Sequence, residues 1–160
     1  MPKRFAILIG MGLGAIWAVM VVWLGPVWKD VPLGMALAVA GVCAGLPLLL
    51  MIGRLAQRRF FDDALIDGGP LSEAAGIDDR VLRNTVEQCV LAACIWPLAG
   101  LVLGSGTVLT LGAGFLLARL AFWLGYHLSP PLRAFGFAAS FYPTVLVACL
   151  VLREAVRMLA

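Results

Sequence analysis

Long charge-free runs alternate with short polar breaks along this chain. No charged residue occurs from Phe5 to Trp28, and none from Val31 to Gly53. Each run exceeds the roughly 20 residues that carry a helix across about 30 Å of hydrocarbon, so each is expected to span a membrane. Between them, Gly25-Pro26 with Lys29, Asp30 and Pro32 stops one helix and restarts the next, which predicts a tight helical hairpin. A polar stretch from Arg54 to about Arg83 reads as the only sizeable soluble segment. Apolar sequence resumes through Val90 to Leu103, breaks at Gly104-Ser105-Gly106, and runs again from Val108 to about Leu128 with Arg119 inside it. Ser129-Pro130-Pro131 separates that run from a last one, Ala134 to Leu152, closed by Arg153 and Arg157. The pattern predicts five transmembrane helices in an all-α integral membrane bundle.

Composition agrees. Of the 160 residues 62% are hydrophobic and 13% are charged, and the mean hydropathy is +1.01. Soluble domains carry about 25% charge, so this chain lacks the residues for a polar surface and its outside is expected to face lipid. Lys3 and Arg4 precede the first run as in a secretory signal. That run is longer than the roughly 7–15 apolar residues of a signal and no A-x-A site follows, so it reads as a retained anchor. The net charge of +3 comes from Lys and Arg placed around the apolar runs. They are topology signals rather than a nucleic-acid footprint, and no nucleic-acid partner is expected. With the N-terminus in the cytoplasm, that side holds Lys3, Arg4, Arg54, Arg58, Arg59, Arg80, Arg83 and Arg133, against Lys29, Arg153 and Arg157 opposite. The positive-inside rule therefore puts the N-terminus and the Arg-rich loop in the cytoplasm and the C-terminus on the other face.

The cysteines, Cys43, Cys89, Cys94 and Cys149, fall in apolar runs, where a thiol is usually packing. His127 is the only histidine, and no metal site is expected. The polar residues at membrane depth carry more. Arg80, Asn84 and Glu87 are spaced i, i+4, i+7 and share one helix face, with Arg83 beside them; Arg119 and Tyr126 share a face in the same way. A charge at the bilayer centre costs roughly 2.5 to 3.5 kcal/mol on insertion scales, so Glu87 and Arg119 are expected to face protein or a water-filled cleft. Two readings follow. In one, Arg80 and Arg83 snorkel to the interface while Glu87 and Arg119 form a structural ion pair. In the other, the converging Arg residues, Asn84 and Glu87 line a cleft for a small anion bearing carboxylates, with the Glu suited to a ligand amine.

Arg80-Val81-Leu82-Arg83-Asn84-Thr85-Val86-Glu87 resembles the R-x-x-R-N-x-x-E pattern of the membrane-associated proteins in eicosanoid and glutathione metabolism, the MAPEG family. Arg119, Tyr126, Arg133, Pro143 and the loop stretch Asp63-Ala64-Leu65 with Gly68-Gly69-Pro70 extend the resemblance. It implies a four-helix membrane domain over residues 31–160, with a cytoplasmic loop at about 54–83 and an added transmembrane helix at 1–30. It also implies a homotrimer in the bilayer holding glutathione near the cytoplasmic face, with Arg54, Arg80, Arg83, Asn84, Glu87 and Tyr126 as binding residues. Arg133 matches the position that assists the glutathione thiol in the leukotriene-C synthase branch. Phe122, Ala134 and Phe137 depart from family patterns, the last two replacing the Ser and Tyr of the prostaglandin E synthase branch. The resemblance implies a glutathione-dependent transferase or peroxidase acting on lipophilic small molecules; the alternative is a non-catalytic membrane scaffold of the same fold.

Overall fold

The computed structural model describes residues 3–62, 66–67 and 69–159. Residues 63–65 and 68 of the loop stretch that resembles the family lie outside it. Helix α1 (Lys3–Leu24) runs into one 3-10 turn (Gly25–Trp28) and is followed by α2 (Leu33–Phe60), α3 (Glu73–Leu103), α4 (Ser105–Leu128) and α5 (Pro130–Leu159). All five are long and apolar enough to cross a membrane, and no strand occurs among the described residues. The chain is an all-α, multi-pass integral membrane bundle.

Local chemistry sets the breaks. Ser72 caps α3 by accepting from the Ala75 backbone N–H at 3.3 Å. Gly104 alone separates α3 from α4; its φ of +99° is a conformation that L side chains rarely adopt. Ser105 is therefore already helical, and the expected three-residue break shrinks to one. Helix α5 starts at Pro130 rather than Ala134, since proline suits a first turn whose N–H has no partner anyway. The largest difference from expectation is the polar stretch 54–83. Most of it continues α2 to Phe60 and begins α3 at Glu73, because Leu55, Ala75 and Val81 keep a buried face on the helices beyond the apolar runs. A polar helix face reads like a loop when charge alone is counted.

Helix α4 is central and touches the other four, while α1 lies along α5 and more narrowly on α4. Small residues permit this. Gly10, Gly14 and Ala18 form the buried stripe of α1 with Val21, and a Cβ at Gly14 would collide with Ala138 of α5. Large side chains such as Leu8, Ile16, Trp23, Leu49 and Leu101 point outward, as a lipid-facing surface requires. Gly10 packs against Pro131 and Arg58 pairs with Asp78, so the starts of α1, α3 and α5 meet the ends of α2 and α4 at one end of the bundle. That end gathers Arg54, Arg80, Asn84, Tyr126 and Arg133.

If small residues are what seat α1, Gly14→Leu should lower stability by about 1 to 3 kcal/mol, the usual cost of overpacking. Gly12, with nothing near its Cβ position, serves as the control, and Gly12→Leu should not destabilise. Unfolding midpoints in detergent compare the two; equal losses would mean that α1 is not held by close approach.

Candidate functional site

A guanidinium within a bilayer-spanning helix must find acceptors for its donors. Arg119 of α4 is only 1% exposed. Its Nε and Nη2 both donate to Thr85 Oγ1, at 3.1 and 2.6 Å, and Nη1 donates to Asn84 Oδ1 at 3.0 Å. Longer bonds reach Ser140 Oγ at 3.4 Å and the Val81 carbonyl at 3.5 Å. The Phe122 ring centre lies 4.1 Å from the guanidinium carbon, within cation–π range. Arg119 thus joins α3, α4 and α5 through neutral groups.

This arrangement corrects the expected ion pair between Glu87 and Arg119. Among the described residues no carboxylate forms a salt bridge with Arg119; Glu87 is exposed and accepts from Asn84 Nδ2 at 3.3 Å. The reason is angular. Thr85 faces α4, and Glu87, two residues on, is turned about 200° away around the helix.

A second polar knot lies nearer the loop. Asp78 is fully buried, accepting from Arg58 Nε at 2.6 Å and from Trp123 Nε1 at 3.1 Å, with Arg54 Nε at 4.0 Å. It ties α3 to α2 and α4. Arg54 is partly engaged there and also donates to Gln57 Oε1 at 2.6 Å. Sequence reasoning missed Asp78, although a signal existed: Asp78, Val81, Thr85 and Gln88 recur at helical spacing and are all buried.

Between these knots and α1 lies a cavity of about 400 Å³, within the range of small-molecule sites. Asn84, Tyr126 and Arg133 give it polar atoms, and Phe122, Pro130, Ala134 and Phe137 line it together with Ile7 and Met11 of α1. The Arg133 guanidinium carbon sits 4.8 Å from the Tyr126 ring centre, which gives the cation a planar support. Its backbone is pressed against α4, because Gly125 faces Arg133 and Gly136 faces Phe122 with no room for a Cβ at either glycine. Among the described residues no carboxylate lines the cavity.

Three of the expected site residues, Asn84, Tyr126 and Arg133, therefore come together. Arg80, Arg83 and Glu87 lie exposed on α3 outside the cavity, with Arg83 paired to Asp79 at 2.9 Å. A separate cavity between α2 and α3, lined by residues such as Leu37, Ala40, Leu48 and Trp96, has no charged group among the described residues that line it. Among the described residues no three His, Cys, Asp or Glu side chains cluster as metal ligands.

A model of the MAPEG family matches residues 35–153. No curated protein and no solved structure matches the chain. The match begins inside α2 and leaves α1 outside.

The geometry makes Thr85, not Glu87, the residue on which Arg119 depends. Thr85→Val keeps the shape but removes the oxygen that accepts two guanidinium bonds, and should destabilise by about 3 kcal/mol, since bonds to charged groups contribute about 1.5 to 3 kcal/mol each. Glu87→Gln should change stability by no more than about 0.5 kcal/mol, as surface substitutions usually do. Denaturation of both variants in detergent checks this, and a larger loss for Glu87→Gln would restore the ion pair.

Proposed function

The chain belongs to the MAPEG family, and from that premise we propose that it is a membrane-bound glutathione-dependent transferase or peroxidase acting on lipophilic electrophiles. The observation that carries this reading is the cavity's charge. Arg133 lines it, Arg119 lies behind it, and among the described residues no carboxylate pairs with Arg119 and no acid lines the cavity. Such a site attracts an anion. Glutathione, a peptide with carboxylates and a thiol, suits Asn84 and Arg133 as polar contacts, and Tyr126 can offer a phenol.

The chemistry needs a thiolate. A free cysteine thiol has a pKa near about 8.5 and is mostly protonated at neutral pH. A guanidinium stays charged and favours the anion beside it. The thiol proton leaves to water; the sulfur then attacks an electrophilic carbon, a C–S bond forms, and a leaving group departs or water protonates the adduct. In the peroxidase variant the thiolate takes one oxygen from a hydroperoxide, releasing an alcohol, and a second glutathione displaces water from the sulfenic acid to give the disulfide.

Arg80, Arg83, Glu87 and Arg54 join the ligand set in this proposal only if another surface closes over α3. A neighbouring copy in a homotrimer supplies that surface, and the apolar groove between α2 and α3 is available for its packing. The Lys and Arg residues at the site end support placing that end, with the N-terminus, in the cytoplasm. Reporter fusions should then find the N-terminus and residues 69–72 inside and the C-terminus outside; termini on one side would contradict the five crossings.

Arg133→Ala should reduce turnover with a model electrophile on the order of 10²-fold, as loss of one stabilising donor does, and cost binding less than turnover. Ultraviolet thiolate absorbance of bound glutathione, titrated against pH, should show ionisation well below the free value in the wild type and near it in the variant. Wild-type protein that binds glutathione without forming thiolate or turning over any electrophile would favour the scaffold.

A further inference from the structure

Helix α1 lies outside the family match, yet it completes the cavity that holds Arg133. Ile7 and Met11 are one turn apart on α1 and both line that cavity, opposite the polar edge formed by Asn84, Tyr126 and Arg133. Ile7 is half-buried and Met11 is 36% exposed, whereas Leu8 and Ile16 on the other faces of α1 are 62% and 67% exposed. The two side chains share the cavity with Phe122 and Phe137, which gives an apolar compartment beside a charged one. The wall cannot retreat by simple loosening. Between Ile7 and Met11 sits Gly10, whose missing Cβ lets the α1 backbone rest against the Pro131 carbonyl, and one turn further Gly14 rests against Ala138.

We propose that α1 forms the specificity wall for the second substrate, with Ile7 and Met11 contacting the aliphatic chain of a lipophilic electrophile whose reactive end points toward Arg133. This rests on the glutathione reading and deepens it. The polar edge holds the peptide, and the α1 edge reads what is attached, or about to be attached, to its sulfur. Met11 is adaptable and Ile7 is a stiff aliphatic surface, so together they offer an apolar face to a substrate's hydrocarbon chain. Among the described residues, the α1 side of the compartment offers only Ile7 and Met11, which have no hydrogen-bonding group suited to a hydroxylated or charged substrate tail.

S-alkylglutathiones, which mimic the transfer product, separate the two edges. Binding of glutathione and of its S-butyl, S-hexyl and S-octyl derivatives is measured by calorimetry on the full-length protein in one detergent. Partition of the ligand into micelles is then common to every variant and cancels in their ratios. Wild-type affinity should rise with chain length. Ile7→Trp and Met11→Trp should each lower S-octylglutathione affinity about fifteenfold, equivalent to losing burial of roughly two methylenes, and lower glutathione affinity far less. Ile16→Trp, on the lipid-facing side of the same helix, should change neither. If a Trp variant fails to fold, Met11→Ala, which only removes atoms, should still weaken S-octylglutathione about fourfold, the worth of roughly one buried methylene. Glutathione binding that persists while all variants keep the wild-type chain-length dependence overturns the wall alone. Absence of wild-type binding to glutathione and to every conjugate overturns the glutathione reading, and the wall with it.

Discussion

A guanidinium buried inside a bilayer is tolerated only when its surroundings are fixed around it, and Arg119 imposes that condition here. Its donors reach Thr85 and Asn84 on α3 and Ser140 on α5, and its face rests on Phe122. A shift of any of these helices by an ångström or two would strand a charged donor in an apolar medium, at a cost of several kcal/mol. The cavity shares two of those same residues, Asn84 and Phe122. The stable part of the bundle and the site are thus one construction, and the charge that locks the helices also sets the sign of the field in the cavity. Asp78, with Arg58 and Trp123, repeats the device nearer the loop, where it holds the end of α2 against α3 and α4.

The five spans and their order were legible in the sequence, because a charge-free run longer than the membrane is thick has few other uses. The helical extensions into 54–83 were not, since charged helix faces and loops share a composition. Arg80, Asn84 and Glu87 were correctly placed on one face of α3, but spacing alone does not say which way a face turns. Arg119 meets the Val81 and Thr85 stripe beside it and leaves Glu87 on the surface. Tyr126 and Arg133 were linked by resemblance, and their contact is across the α4–α5 turn rather than along a helix. The role of Gly125 and Gly136 in bringing those helices together depends on a pairing between helices that no single-helix pattern reveals.

Helix α1 lies outside the family match yet lines the cavity that Arg133 lines. Its small-residue stripe docks it on α5, and the same docking places two apolar side chains opposite Arg133. The polar edge of the cavity is built from residues inside the family match; the facing apolar edge comes partly from outside it.

In the proposed glutathione complex, the Asn84–Tyr126–Arg133 cavity holds the peptide with its sulfur at Arg133. An experimental structure of the protein in lipid nanodiscs with glutathione bound tests it most directly. Ligand density is expected in that cavity, its sulfur in contact with the Arg133 guanidinium and its far side open toward Ile7 and Met11. Density confined to the groove between α2 and α3, or a sulfur turned away from Arg133, would contradict it.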